Sequence, residues 1–188
     1  MVEFKNVVFS YEDKQVLNGF SLKIEKGECV CLKGESGCGK TTALRLILGL
    51  ETPISGEISV PKRISAVFQE DRLMEHLSIK RNIMLIDDSD PKRVDELLKK
   101  AGLYEVRHKK ISLLSGGMKR RTAILRAVVF GGDLLVLDEP FNGLDFENKR
   151  IMSEIIREEF SENGKSVLLV SHIKEDAELL DAKVVEME

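Results

Sequence analysis

The sequence has no surplus of positive charge, no long apolar run and no cysteine framework, and each absence removes a class of protein. Its 29 lysines and arginines face 32 aspartates and glutamates, a formal net charge of −3. A domain that binds nucleic acid usually carries a basic surplus, so nucleic acid is not an expected partner. No apolar stretch approaches the roughly 20 residues that a membrane span needs. The start, Met1-Val2-Glu3-Phe4-Lys5, lacks the charged and apolar regions of a signal peptide. A cytoplasmic location is therefore expected, with any membrane role coming through a partner. The three cysteines, Cys29, Cys31 and Cys38, show no framework spacing, as in a reducing compartment. Cys29 and Cys31 alternate on one apolar run, which favours a buried structural role over a metal site. Zinc would want further Cys or His ligands at matching spacing.

There is also no internal repeat, low-complexity tract or evident linker. The 188 residues are 43% hydrophobic, enough for one compact domain over residues 1–188. Val2 to Phe9 reads as a strand ending in the polar cluster Ser10-Tyr11-Glu12-Asp13. Phe20 to Ile24 alternates apolar and polar, and Cys29 to Leu32 is a short apolar run. Thr41 to Leu50 carries Leu44, Ile47 and Leu48 on one helical face. Gly56 to Val60 and Ile64 to Phe68 read as strands separated by Pro61.

From about Arg72 to Val129 the pattern turns helical and charge-rich. Pro91 suits the first turn of a helix over Lys92 to Ala101. A further helix follows Ser115, with Met118, Leu125 and Val129 on its apolar stripe and Lys119, Arg120, Arg121 and Arg126 largely off it. Strand Leu134 to Leu137, helix Asp145 to Phe160, strand Val167 to Val170 and helix Lys174 to Leu180 complete the pattern. Continuous apolar runs with helical crossovers predict buried parallel strands. The fold class expected is α/β: a mixed, mainly parallel sheet with flanking helices, an N-terminal antiparallel β part, and a helical subdomain inserted at about 72–130.

Two motifs carry chemistry on their own terms. Gly34-Glu35-Ser36-Gly37-Cys38-Gly39-Lys40-Thr41 matches the phosphate-loop pattern G-x-x-x-x-G-K-[ST], here between an apolar strand and an amphipathic helix. Its glycines let backbone amides converge on phosphate oxygens at a positive helix end. Lys40 would reach the β and γ phosphates, and the Thr41 hydroxyl would help hold Mg²⁺, with Thr42 next in the helix. The second motif is Leu134-Leu135-Val136-Leu137-Asp138-Glu139, an apolar strand ending in two carboxylates. Strand alternation lets adjacent acids take two roles. Asp138 suits the Mg²⁺ arm, and Glu139 suits the group that orients and deprotonates the attacking water. Together the motifs define a P-loop NTPase core.

A third motif narrows the class. Leu114-Ser115-Gly116-Gly117-Met118 resembles the LSGGQ signature of ABC ATPases, with Met118 in the last place. A Ser-Gly-Gly helix entry offers a hydroxyl, bare amides and a dipole end to an anion; alone it is equally an ordinary capped helix. The whole chain, from about residue 2 to 185, then resembles the ABC nucleotide-binding subunit. The resemblance implies that Tyr11 stacks on adenine, although a lone Tyr there is equally a turn residue. It implies that Gln69 touches Mg²⁺ and links core to helical insert. Asn142-Gly143-Leu144-Asp145 is similar to the D-loop, and His172 to the switch histidine that contacts the γ-phosphate.

By the same resemblance, Gly34, Glu35, Ser36, Gly37, Cys38, Gly39, Lys40, Thr41 and Thr42 bind the phosphates of ATP. Ser115, Gly116 and Gly117 serve the ATP of a second ABC ATPase subunit, in a homodimer or heterodimer. Glu139, His172 and Gln69 are the catalytic set, and Thr41, Gln69 and Asp138 the metal set. Transport through a separate membrane permease is implied, with the chain peripheral on the inner face of the membrane. Gln69-Glu70-Asp71-Arg72-Leu73 resembles importer subunits for sulfonates and nitrate. Leu73, Met74, Leu77 and Ile79 are candidates for receiving a permease helix. The alternative is a soluble ABC ATPase of iron–sulfur cluster assembly or DNA maintenance. Only about 80 residues separate Gly34 from Ser115, too few for a long coiled coil.

Overall fold

In a computed structural model, residues 1–12, 14–35, 37–85 and 90–187 are described. The chain opens with β1 (Val2–Tyr11) and β2 (Lys14–Ile24), which pair antiparallel from Val2 opposite Ile24 to Tyr11 opposite Lys14. After β3 (Cys29–Gly34) and α1 (Lys40–Ile47), β4 (Ser55–Ser59) returns to the free edge of β1. This three-stranded sheet has the order β2-β1-β4.

The second sheet begins with β5 (Ile64–Val67). A helical stretch follows: α2 (Ile79–Ile83), α3 (Pro91–Lys100) and α4 (Gly116–Phe130). Asp90 caps α3 with Pro91 at its first position, the placement in which the missing proline N–H costs nothing. The chain then runs through β6 (Leu134–Asp138), α5 (Phe146–Glu159), β7 (Ser166–Val170), α6 (Lys174–Leu179) and β8 (Lys183–Met187).

Strand order in the five-stranded sheet is β5-β6-β7-β3-β8, every neighbouring pair parallel. Parallel and antiparallel strands are thus segregated into two sheets rather than mixed in one. β6 and β7 are buried at every position, as expected of strands covered on both faces.

Side-chain alternation divides this sheet between two cores. Leu32, Val136, Leu168 and Val170 pack with α1 and with Phe4, Phe9 and Leu17 of the antiparallel sheet. Cys31, Leu135, Leu137 and Leu169 pack on the other side with α3, α4 and α5. Burial pushes the Cys29 thiol up to about 12 and the Cys31 thiol up to about 11. Both are structural thiols at neutral pH, and among the described residues no cluster of three or more His, Cys, Asp or Glu could hold a metal ion.

Three features differ from the sequence reading. β2 starts at Lys14, well before the alternation at Phe20, because Lys14 and Gln15 pair across the turn with Tyr11 and Ser10. α2 is a single short helix, held between Ser78, which caps it, and the 107–111 segment that bonds to its first residues. β8 is missed because only Met187 of its five residues is buried, so it carries no apolar run or clean alternation, although Val30 to Gly34 pair with Lys183 to Met187 along its length.

The helix after Ser115 departs further. Arg120 is 4% exposed, and Arg121 and Arg126 turn inward to backbone carbonyls of Ala101, Arg72 and Asp71. Their burial lowers both guanidinium pKa values from the ordinary range. α4 has no solvent-facing polar stripe at these positions, because loops cover it and supply the acceptors.

Candidate nucleotide site

All the parallel strands point their carboxyl ends the same way, and the crevice beyond those ends is where an α/β sheet binds ligands. β3 ends at Gly34 and delivers the glycine-rich loop, which closes on α1. Gly37 and Gly39 adopt φ values of 90° and 105°, open to glycine and strained for other residues. A Cβ on Gly39 would stand 2.8 Å from Leu17 of β2, so the loop is wedged against the antiparallel sheet. A Cβ on Gly34 would stand 2.5 Å from the Met187 carbonyl oxygen, so β8 backs the same loop from the other side. Lys40, the first residue of α1, folds over the loop. Its ammonium donates to the carbonyls of Gly34 (2.8 Å) and Glu35 (2.7 Å).

β6 brings Asp138 and Glu139 to the loop. Asp138 is buried, and that burial pushes its carboxyl above the ordinary 3.8. The adjacent Glu139 charge adds to the rise, while Arg120 and Lys40 oppose it. Glu139 has a φ of 47°, a conformation uncommon outside glycine and asparagine and found where a site holds its backbone under constraint. Its amide donates to the Val170 carbonyl at the end of β7 (2.9 Å). Two residues beyond Val170 stands His172, whose Nδ1 lies 2.9 Å from Glu139 Oε1. Glu139 Oε2 is buried with no hydrogen-bond partner among the described residues. One oxygen of this carboxylate is thus engaged and the other is left to whatever enters the site.

A single cavity of about 570 Å³ gathers Tyr11, Gly34, Gly37, Gly39, Lys40, Thr41, Thr42, Gln69, Asp138, Glu139 and His172. Glu35 and Cys38 face a neighbouring cavity of about 600 Å³ that shares Gly34 and His172. Ser36 lies outside the described residues. Ser115, Gly116 and Gly117 do not line the first cavity. Ser115 caps α4, its Oγ accepting from the Met118 amide at 3.4 Å. The Asn142–Asp145 turn abuts that helix entry: a Cβ on Gly117 would be 3.5 Å from Leu144 and 3.6 Å from the Gly143 oxygen. Of the four apolar residues proposed for a permease helix, Met74 is exposed and Leu73 and Leu77 are half-buried. Ile79 is fully buried and belongs to the core.

One residue escaped the sequence reading altogether. Arg120 donates to the carbonyls of Pro140 (2.7 Å), Phe68 (2.6 Å), Asp138 (2.9 Å) and Glu139 (2.6 Å), and reaches Gln69 O (3.3 Å) and the Asp71 carboxylate (3.2 Å). It therefore joins α4 to both loops that carry Gln69 and Glu139. The only signal in the sequence is a basic residue five places after Ser115, indistinguishable there from a solvated one.

A glycine-rich loop at a helix start, a paired acid at the end of β6 and a parallel sheet define an ATP-hydrolysing P-loop cassette. The family described as ABC transporter matches residues 17–142 of this sequence. Over 181 residues the chain is 38% identical to the aliphatic sulfonates import ATP-binding protein of Streptomyces avermitilis, covering 95% of this chain and 70% of that one. It is 37% identical over 198 residues to the Nod factor export ATP-binding protein I of Burkholderia orbicola, covering 95% of this chain and 65% of the relative. A dimeric structure of a post-hydrolysis state of an ATP-binding cassette bound to ADP and Pi superposes with a TM-score of 0.87 at 26% identity. That superposition covers 100% of this chain and 94% of the other. The chain belongs to the ABC transporter family of ATP-binding subunits.

Proposed function

We propose that the chain is the motor of an ABC transporter, hydrolysing ATP at a head-to-tail dimer interface to drive solute through a separate membrane permease. The observation that carries this reading is the single cavity holding Lys40, Thr41, Gln69, Asp138, Glu139 and His172 together. In it the loop amides and Lys40 cradle the phosphates of ATP, and Tyr11 stacks on the adenine. Glu139 orients and deprotonates the attacking water, with His172 against the same carboxylate and toward the γ-phosphate. Thr41, Gln69 and Asp138 would hold Mg²⁺. The chemistry of the donor set fits, since Mg²⁺ binds through one or two carboxylates plus substrate phosphates rather than an all-protein cage. When bound, the ion neutralises charge developing on the phosphates.

Each chain carries two half-sites in this account. Ser115 and the amides of Gly116 and Gly117 meet ATP held by the other subunit, and residues 72–130 form the helical subdomain that brings them there. Hydrolysis removes the γ-phosphate that joins the two chains and lets them part. The chain sits on the inner face of the membrane through its permease. Among the described residues no helix is long and apolar enough to cross a membrane. The permease helix docks in the groove beside Gln69 in the helical insert, where Met74 is exposed and Leu73 and Leu77 are half-buried.

Import is the direction proposed, on the Gln69 to Leu73 stretch and the sulfonate relative. The export relative supports the opposite direction. Reconstitution with a candidate permease, in vesicles with ATP on the chain's side, tests the reading. ATP-dependent loss of solute from the compartment opposite the chain supports import, and accumulation there supports export. ATPase activity that no permease stimulates would remove transport as the function.

A further inference from the structure

We infer that Ser171, Asp176 and Lys149 form a positioning relay, centred on the buried Asp176 carboxylate, that fixes His172 and ties it to the start of α5. Asp176 is completely buried and uses both carboxylate oxygens. Oδ1 meets the Lys149 ammonium at 2.8 Å, and Oδ2 accepts the Ser171 hydroxyl at 2.8 Å. The Ser171 oxygen in turn accepts the amide of Ile173 at 3.1 Å. Both chain neighbours of His172 are thereby pinned. The imidazole itself is 66% exposed and meets Glu139 at its Nδ1, so little packing places its ring. Its position is set by the backbone on either side.

Lys149 supplies the other end. It lies in the first turn of α5, its amide bonded to the Asp145 carbonyl at 2.9 Å, directly after the Asn142–Asp145 turn. A displacement of that turn reaches His172 through one ammonium, one carboxylate and one hydroxyl. A purely structural account would make the trio a substitute for the N-cap that α6 lacks. Burying a carboxylate and an ammonium is a poor route to stability alone, since apolar residues of equal volume serve as well. What the polar version adds is a fixed geometry at residues 171–173.

The proposal rests on the reading of His172 as the γ-phosphate contact, and a double-mutant cycle separates the two. Phosphate release from labelled ATP is measured for the full chain carrying Ser171→Ala, His172→Ala, both together, and the conservative Ser171→Thr and Lys149→Arg. We expect Ser171→Ala to lower kcat about tenfold with the KM for ATP within about threefold, the pattern of an interaction used in the transition state. Ser171→Thr keeps the hydroxyl and Lys149→Arg keeps the cation, so each alone should retain most of the unsubstituted kcat. In the His172→Ala background, Ser171→Ala should cost nothing further. An equal loss in both backgrounds, or a kcat unaffected by Ser171→Ala, overturns the relay while leaving His172 in place. Unchanged kcat in His172→Ala alone overturns the reading of His172, and the relay with it.

Discussion

Arg120 Nη2 donates to the Glu139 carbonyl at 2.6 Å, so a residue of α4 holds the backbone at the end of β6. Glu139 also has a constrained φ of 47°. A strained conformation persists only where its surroundings over-determine it, and here the guanidinium clamps the carbonyls on both sides of the Glu139 Cα. Arg120→Met should lower the unfolding free energy by about 3–5 kcal/mol, as breaking a buried charged network does. Arg120→Lys keeps the charge but lacks the planar fork. It should fold and bind ATP while hydrolysing it more than about tenfold slower. Denaturant unfolding and steady-state kinetics on both variants check this.

The loop glycines give a second prediction, one that turns on space rather than charge. Gly39→Ala combines a φ of 105° with a methyl 2.8 Å from Leu17. Gly34→Ala drives a methyl within 2.5 Å of a backbone oxygen of β8, which cannot rotate away. Each should cost about 1–3 kcal/mol of stability, and ATP affinity should fall by more than about tenfold. Calorimetric titration with ATP measures the second effect.

The buried Asp138 carboxyl has a pH signature. Its pKa is raised in the folded chain, so the fold binds this proton more tightly than the unfolded chain does. The stabilisation is fully present below 3.8, the unfolded value, and is lost as pH rises through the folded pKa. At neutral pH the desolvated charge therefore counts against the nucleotide-free fold. Asp138→Asn should raise its melting temperature by about 2–4 °C at pH 7, with the gain vanishing as pH falls toward 4. The same variant should lose its dependence on Mg²⁺ for ATP binding. Thermal scans across pH decide the first point.

The cysteines should differ in reactivity. Cys29 and Cys31, with thiols near 12 and 11, are almost wholly protonated at pH 8, and only the thiolate is alkylated. Cys38 is half-buried and opens into the cavity beside the loop. Iodoacetamide should add one label, at Cys38, and ATP should slow it. Mass spectrometry of native chain settles the count, and equal labelling of Cys31 would contradict the burial argument.

Much of this molecule was legible in its residues because its signals are local. The run Leu134 to Leu137 announces a buried parallel strand. Gly34 to Thr41 specifies a loop shape through its glycines, whereas strand alternation does not place Glu139, because β6 ends at Asp138 and Glu139 takes a φ of 47°. Arg120 was illegible for the opposite reason. On a helical wheel it falls among lysines and arginines, and its partners at Phe68 and Pro140 are 52 and 20 residues away. Nothing in a helix's own pattern says that a distant loop will supply acceptors over its polar side. Ile79 fails similarly: an apolar residue at a helix start reads as exposed or core alike until the 107–111 segment covers it. β8 is recognised only through its pairing with β3, not through any apolar run.

Two chains are proposed to close on ATP, each lending Ser115 to the other's near side, until water activated by Glu139 cleaves the γ-phosphate and lets them part. Light scattering on size-exclusion-purified Glu139→Gln protein, with and without Mg²⁺ and ATP, measures that claim most directly. Without nucleotide the chain should have the monomer mass of 21.2 kDa. With ATP it should shift to twice that mass and stay there, and a further Ser115→Arg substitution should abolish the shift. A Glu139→Gln protein that binds ATP but remains a monomer, or that hydrolyses it at the normal rate, would contradict the account.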